Sequence, residues 1–259
     1  MSMRFKSLGS GSAGNATLIE VGDGLQRRWV LIDCGMPLRQ LTARLQQAGV
    51  EPEQLAAVFI THEHLDHTGC AQQLVLRHRI PVWMSRGTHV GMGAPDWQGL
   101  LHYARDGDTL DLGGLQLQPF TVPHDAREPL QLRCSDGDRV LGIATDLGHA
   151  TAHVLASLQQ CHALLIESNH DPALLAASRY PEFLKRRVAG DLGHLSNAAA
   201  AALAQALNHS SLGHVLAGHL SERNNRPELA AAALAPALNR SLADVQLADA
   251  ENGSDWLCV

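Results

Sequence analysis

The sequence predicts an α/β protein in which two mixed β-sheets pack face to face with helices on their outer sides. Three observations lead there. Short, partly β-branched apolar runs recur along the chain; from about residue 38 they alternate with segments of helical spacing; and β-hairpins and βα units occur in both halves.

Taken in order, residues 5–8, 16–21 and 29–32 read as a meander, with Gly22-Asp23-Gly24 supplying turn chemistry before the third strand. Leu38, Leu41 and Leu45 set a helix over 38–48 that Gly49 is placed to end, and 56–60 follows as a buried strand. A helix over 68–78, a strand at 82–84 and strands near 115–120 and 130–134 come next, and Asp136-Gly137-Asp138 turns the chain into a strand at 140–144. The second half reads as a helix at 151–158, a strand at 163–166, a helix capped by Ser196, a strand at 214–217, a helix at 228–238 and a strand at 245–247. No internal repeat, low-complexity tract or linker divides the chain, so residues 1–259 are expected to form one domain.

Composition narrows the function classes. An apolar fraction of 45% over 259 residues is enough for a large core. Residues 1–6 carry no apolar run, and no uncharged apolar stretch is long enough to span a bilayer, so a cytoplasmic protein with no membrane partner is expected. The five cysteines, Cys34, Cys70, Cys134, Cys161 and Cys258, are scattered and never paired as Cys-x-x-Cys, which excludes a disulfide framework or zinc knuckle. A net charge of −6 supplies no global attraction to nucleic acid, so any such affinity needs a local basic patch. The 15 histidines stand out instead, because imidazole is both a metal ligand and an acid–base group.

Their placement carries the chemistry. Thr61-His62-Glu63-His64-Leu65-Asp66-His67 follows the apolar run Ala57-Val58-Phe59-Ile60 at once, so four potential ligands cluster at the mouth of a buried strand. This segment resembles the His-x-His-x-Asp-His motif of the metallo-β-lactamase superfamily, whose remaining motifs recur in order. Asp33 ends one apolar run, His124 follows another in Val122-Pro123-His124-Asp125, Asp146 ends Ile143-Ala144-Thr145, and His219 ends Leu216-Ala217-Gly218. The resemblance implies that His62, His64 and His124 bind one divalent metal ion and Asp66, His67 and His219 a second, that Asp146 bridges them, and that Asp33 buttresses the site. It implies the αββα sandwich of that fold as well. Two ions about 3.5–4 Å apart make a nucleophile from water at neutral pH and steady the charge developing on the substrate, so hydrolysis follows.

The superfamily holds lactamases, thioesterases, lactonases and nucleases, and fold alone does not choose among them. Secreted lactamases need an export signal, and the β-CASP nucleases need a large insertion between Asp146 and His219 for which there is no room. Leu165-Ile166-Glu167-Ser168 and Gly193-His194-Leu195-Ser196 resemble the ribonuclease Z branch, which implies that Glu167 orients His194 to protonate the leaving oxygen; with Asp66 these form the catalytic set. Three further strings resemble the YycJ/WalJ-type bacterial exonucleases: residues 8–15 (Leu-Gly-Ser-Gly-Ser-Ala-Gly-Asn), Glu167-Ser168-Asn169-His170-Asp171, and His219-Leu220-Ser221-Glu222-Arg223-Asn224-Asn225. That branch implies exonuclease action on DNA with zinc or manganese, iron being compatible with the same donors.

Phosphate contacts are expected from Arg179, Lys185, Arg186 and Arg187, from Ser10, Ser12 and Asn15 in the glycine-rich stretch, and from Ser221. A solvated helix face for the basic run and a plain turn for the glycine-rich stretch are the structural alternatives. At the level of function, a small-molecule hydrolase (thioester, lactone or phosphodiester) and a catalytically silent binding module on the same fold are the competing readings.

Overall fold

The computed structural model describes residues 2–22 and 26–259; Asp23 and Gly24 of the expected turn lie outside them. β1 (Ser2–Gly9), β2 (Ala16–Gly22) and β3 (Arg27–Ile32) form an antiparallel meander. β4 (Leu55–Phe59), β5 (Val82–Met84) and β6 (Leu101–Tyr103) then add in parallel. The C-terminal β14 (Leu257–Cys258) pairs with β1, Arg4 opposite Cys258, and completes a seven-stranded sheet. The second seven-stranded sheet repeats this plan, with antiparallel pairing through β7 (Leu110–Asp111), β8 (Gln116–Thr121), β9 (Leu130–Ser135) and β10 (Val140–Ala144). Parallel pairing continues through β11 (Ala163–Glu167), β12 (His214–Gly218) and β13 (Gln246–Leu247).

The pleat explains why the central strands are apolar on both faces. In β4, Ala57 and Phe59 join Phe5, Ile19, Leu132 and Leu165 between the sheets. Val58 and Ile60 face the other way, among Leu41 and Leu45 of α1 (Leu38–Gln47) and Leu74 and Val75 of α3 (Ala71–His78). In β11, Ala163 and Leu165 lie between the sheets while Leu164 and Ile166 pack under α5 (Ala152–Leu158), α8 (Asn197–Leu207) and α9 (Pro227–Ala237). Each fully buried Leu, Ile, Val or Phe among them contributes roughly 1.5–3 kcal/mol. The result is the four-layered αββα arrangement, and no helix among the described residues is long and apolar enough to cross a membrane.

One expected helix is corrected. Residues 68–78 are not continuous: α2 (Leu65–Thr68) ends at Gly69, and α3 starts afresh at Ala71 because the Cys70 amide donates to the Cys34 carbonyl (2.9 Å). The shorter elements β6, β7 and β14, and α4 (Arg86–Gly91), α6 (Pro172–Ala177) and α7 (Glu182–Val188), carry too few residues for periodicity to reveal.

Candidate metal centre

The parallel strands of both sheets end on one side of the sandwich, and the residues that follow them converge there. Asp33 follows β3. Its Oδ1 accepts from the Thr61 amide (2.8 Å), and its Oδ2 accepts from the Thr61 hydroxyl (2.9 Å) and sits 2.8 Å from His67 Nδ1. Three chain segments are laced around it. The Asn15 amide donates to the Asp66 carbonyl (2.7 Å), the Gly35 amide to Asn15 (2.9 Å) and the Cys34 amide to His67 (2.8 Å). Gly35 is required by this close approach, since a Cβ there would lie 1.6 Å from the Asp66 carbonyl oxygen.

From the other sheet, His124 comes after β8, Asp146 after β10, Glu167 ends β11 and His219 follows β12. Asp33, Asp146 and His219 all hold positive φ, at 62°, 57° and 55°. Left-handed backbone costs a residue with a Cβ about 1–2 kcal/mol, and Asp and His are among the types that enter it most readily. Three such residues at strand ends, aimed into one cleft, mark strain kept where side-chain direction matters.

His62, His67, His124 and His219 each have one nitrogen committed to the protein and the other turned inward, whereas His64 turns Nδ1 inward and its Nε2 lies 3.7 Å from Asp125 Oδ1. His124 Nδ1 donates to the Gly193 carbonyl (3.1 Å), which leaves Nε2 bare at 3.2 Å from His64 Nδ1; His62 Nε2 lies 3.1 Å from that same atom. His67 Nδ1 is held by Asp33, so its Nε2 faces Asp146 Oδ2 at 3.2 Å and Asp66 Oδ2 at 3.7 Å. His219 Nδ1 is held by Glu167 (2.8 Å), and its Nε2 lies 3.4 Å from Asp66 Oδ2. Burial, with crowding by neighbouring imidazoles, pushes His62 and His124 below the usual histidine range and keeps them in the neutral form that ligates. Lone pairs gathered at such distances repel unless a cation lies among them, and Asp146 Oδ2 is buried with no hydrogen-bond partner. His62, His64 and His124 form one cluster of potential ligand atoms, Asp66, His67 and His219 a second, and Asp146 joins His62 and His67. The donor set therefore fits two divalent ions.

Beside the clusters, His194 Nδ1 lies 2.8 Å from Glu167 Oε1, and His194 lines the cleft. The second Glu167 oxygen accepts the amides of Leu147 (3.2 Å) and Leu195 (3.0 Å). Burial works to raise the Glu167 carboxyl, but the charge and hydrogen bonds of His194 and His219 hold it at about 2.

The phosphate candidates separate. Ser12, Ser221 and Arg187 line the cleft, a space of about 190 Å3 shared with Asn169, Tyr180, Leu184 and Asn224. Ser10 and Asn15 are turned inward: the Ser10 hydroxyl accepts the His219 amide (2.7 Å), and Asn15 Oδ1 accepts the Gly11 amide (2.9 Å) while its Nδ2 lies 3.2 Å from His67 Nε2. Lys185 donates to the Ala176 carbonyl (2.6 Å) and pairs with Glu182 (3.3 Å), whereas Arg179 and Arg186 are exposed. Asp125 was not singled out by sequence reasoning. Its carboxylate lies 3.7 Å from His64 Nε2 and accepts from Arg187, and its one sequence signal is its place next to His124.

Residues 9–203 match the profile of the Metallo-beta-lactamase superfamily. The chain belongs to that superfamily. This metallo-β-lactamase-superfamily hydrolase is homologous to the exodeoxyribonucleases YycJ of Bacillus anthracis and WalJ of Streptococcus pneumoniae. YycJ is 31% identical over 236 residues, covering 89% of this chain and 87% of that one, and WalJ is 31% identical over 233 residues, covering 88% and 85%. The metallo-β-lactamase-fold protein YhfI from Bacillus subtilis superposes with a TM-score of 0.77 over 100% of both chains at 16% identity, which shows the same fold.

Proposed function

We propose that this hydrolase is a dinuclear-metal phosphodiesterase that removes nucleotides from an end of DNA. The observation that carries the reading is the 31% identity to an exodeoxyribonuclease across 89% of the chain, far beyond the ligand segments. Its place of work is then the compartment that holds the DNA, in keeping with the cytoplasmic expectation.

His62, His64 and His124 would hold one ion and Asp66, His67 and His219 the other, with Asp146 shared; such donors accept zinc, manganese and iron. Bound there, the ions supply an acidified water and neutralise charge gathering on the scissile phosphate. The remaining work falls to the chain's own groups. Asp33 fixes the tautomer of His67 and Glu167 that of His219, so each presents Nε2 inward. Glu167 also holds His194 by Nδ1, which leaves Nε2 to pass its proton to the departing oxygen. A sugar alkoxide leaves poorly without that proton, and afterwards a neutral imidazole remains bonded to Glu167. Ser12, Ser221 and Arg187 are placed to meet the phosphate that enters the cleft.

Incubating protein reconstituted with zinc or with manganese with 5′- and 3′-labelled DNA and RNA, beside a thioester and lactone panel, tests the reading. Stepwise release of mononucleotides from one end of DNA is expected. Turnover of a thioester or lactone with DNA left intact overturns it in favour of a small-molecule hydrolase.

A further inference from the structure

The helix α7 walls the cleft, and unlike every other α-helix among the described residues it has no buried residue. Yet its stripe is apolar. Leu184, Arg187 and Val188 line the cleft together with Tyr180 just ahead of the helix. Phe183 stands four residues before Arg187, hence on the same face and one turn, roughly 5.4 Å, along the axis. Phe183 is 73% exposed. Leaving a phenylalanine in water forgoes roughly 1.5–3 kcal/mol that burial would contribute.

The position of that ring is tied to the chemistry. Arg187 hydrogen-bonds Asp125 beside His64, and the Val188 carbonyl accepts the His194 amide (2.9 Å), so the C-terminal end of α7 is anchored at the catalytic groups. Two more exposed apolar residues are chain neighbours of cleft-lining groups: Leu65, 82% exposed between His64 and Asp66, and Leu192, 53% exposed two residues before His194. The exposed side chains of Arg179 and Arg186 form no hydrogen bond or ion pair with other described residues, in a chain whose net charge is −6. An accessible aromatic ring one turn from the cleft-lining Arg187, with the exposed Arg186 three residues on along the helix and Arg179 just before the cleft-lining Tyr180, is the combination that grips a single strand outside the cleft, ring on base and cations on phosphates.

We infer that Phe183 stacks on a nucleobase of the strand whose phosphodiester occupies the cleft, while Arg179 and Arg186 meet its neighbouring phosphates. The assignment rests on the phosphodiesterase reading and adds a strand-end grip that the metal cluster lacks. Stacking felt equally in the bound strand and the transition state appears in KM and leaves kcat.

Steady-state kinetics on a short DNA strand test it, with the parent, Phe183→Ala and Phe183→Trp, on intact strands and on a series each lacking one base near the cleaved end. Phe183→Ala should raise KM about 5- to 150-fold, the equivalent of about 1–3 kcal/mol per stacked base, and Phe183→Trp should restore it. At one position, removing the base should cost the parent the same factor and cost Phe183→Ala nothing more, a non-additivity that a structural role does not produce. A parental KM in Phe183→Ala, or equal sensitivity to base removal in both proteins, overturns the stacking and leaves the stripe to a protein partner. A parent that leaves DNA intact overturns the nuclease reading, and the stacking with it.

Discussion

The wall that carries the histidine motif and the wall formed by α7 meet the same cleft and are built in opposite ways. On the motif side, His62 and His67 are fully buried, and Asp33 and the backbone of residues 15 and 34 bind the segment from several directions. On the α7 side no residue of the helix is buried, and the helix is held by Lys185 to the Ala176 carbonyl and at its C-terminal end through Arg187 and Val188. The first construction suits a task in which donor atoms must already stand in place, since misdirected ligands cost affinity and rate. The second suits contact with something large that arrives from outside. Rigidity and access are divided between the two sides of one cleft.

The largest effect that would break this comparison is expected at Asp146. Asp146→Ala removes the carboxylate that joins the clusters, so metal content by elemental analysis and activity should fall together, by more than the roughly 10- to 100-fold usual for outer hydrogen-bond partners. A variant that keeps full metal content and activity would take Asp146 out of the centre.

Next comes His194→Ala, which should keep its metal yet lose about 10²- to 10⁴-fold in rate on an ordinary diester. A substrate with a nitrophenolate leaving group, which departs without a proton, should suffer much less. Equal losses on both would remove the proton-donor role.

Asp33 sharpens the contrast at an intermediate scale. In Asp33→Asn a side-chain NH2 can face His67 Nδ1, drive the ring to its other tautomer and put the proton on Nε2, where a ligand must be bare. Metal affinity, followed by competition with a chelator, should weaken about 10- to 100-fold. An unchanged affinity would make Asp33 a packing residue.

The smallest effect belongs to the exposed wall. Replacing Arg179 and Arg186 together by Ala should flatten the dependence of DNA affinity on salt by about 0.7 in log–log slope per phosphate contact on a single strand. Lys185→Met, which removes a cation already tied to Ala176 and Glu182, should leave that slope alone. Salt titrations that show the reverse would move the grip from the free arginines to the paired lysine.

Much of the metal centre was legible because its signals are local. An apolar run followed at once by His, Asp or Glu locates a strand end, and His62, His64, Asp66, His67, His124, Asp146, Glu167 and His219 all stand where such runs stop. The central strands were readable for the same reason, their alternation being set by neighbours in the chain. The break at Gly69 was not legible, because the Cys70 amide bonds Cys34, a residue far back in the sequence.

By itself, then, the sequence determined the αββα class, the identities of the candidate ligands and the pair His194 and Glu167 proposed to handle the leaving-group proton. Only the tertiary structure decided which nitrogen His67, His124 and His219 turn inward, since the partner that takes the other nitrogen comes from a distant strand or loop. It also decided that Ser10 and Asn15 brace the site from within while Ser12 and Ser221 face the cleft, although all four residues are small and polar and look alike in sequence. The character of α7 was decided there too. Periodicity records which face of a helix is apolar, but whether that face meets a core or a cleft depends on what the rest of the chain places opposite it.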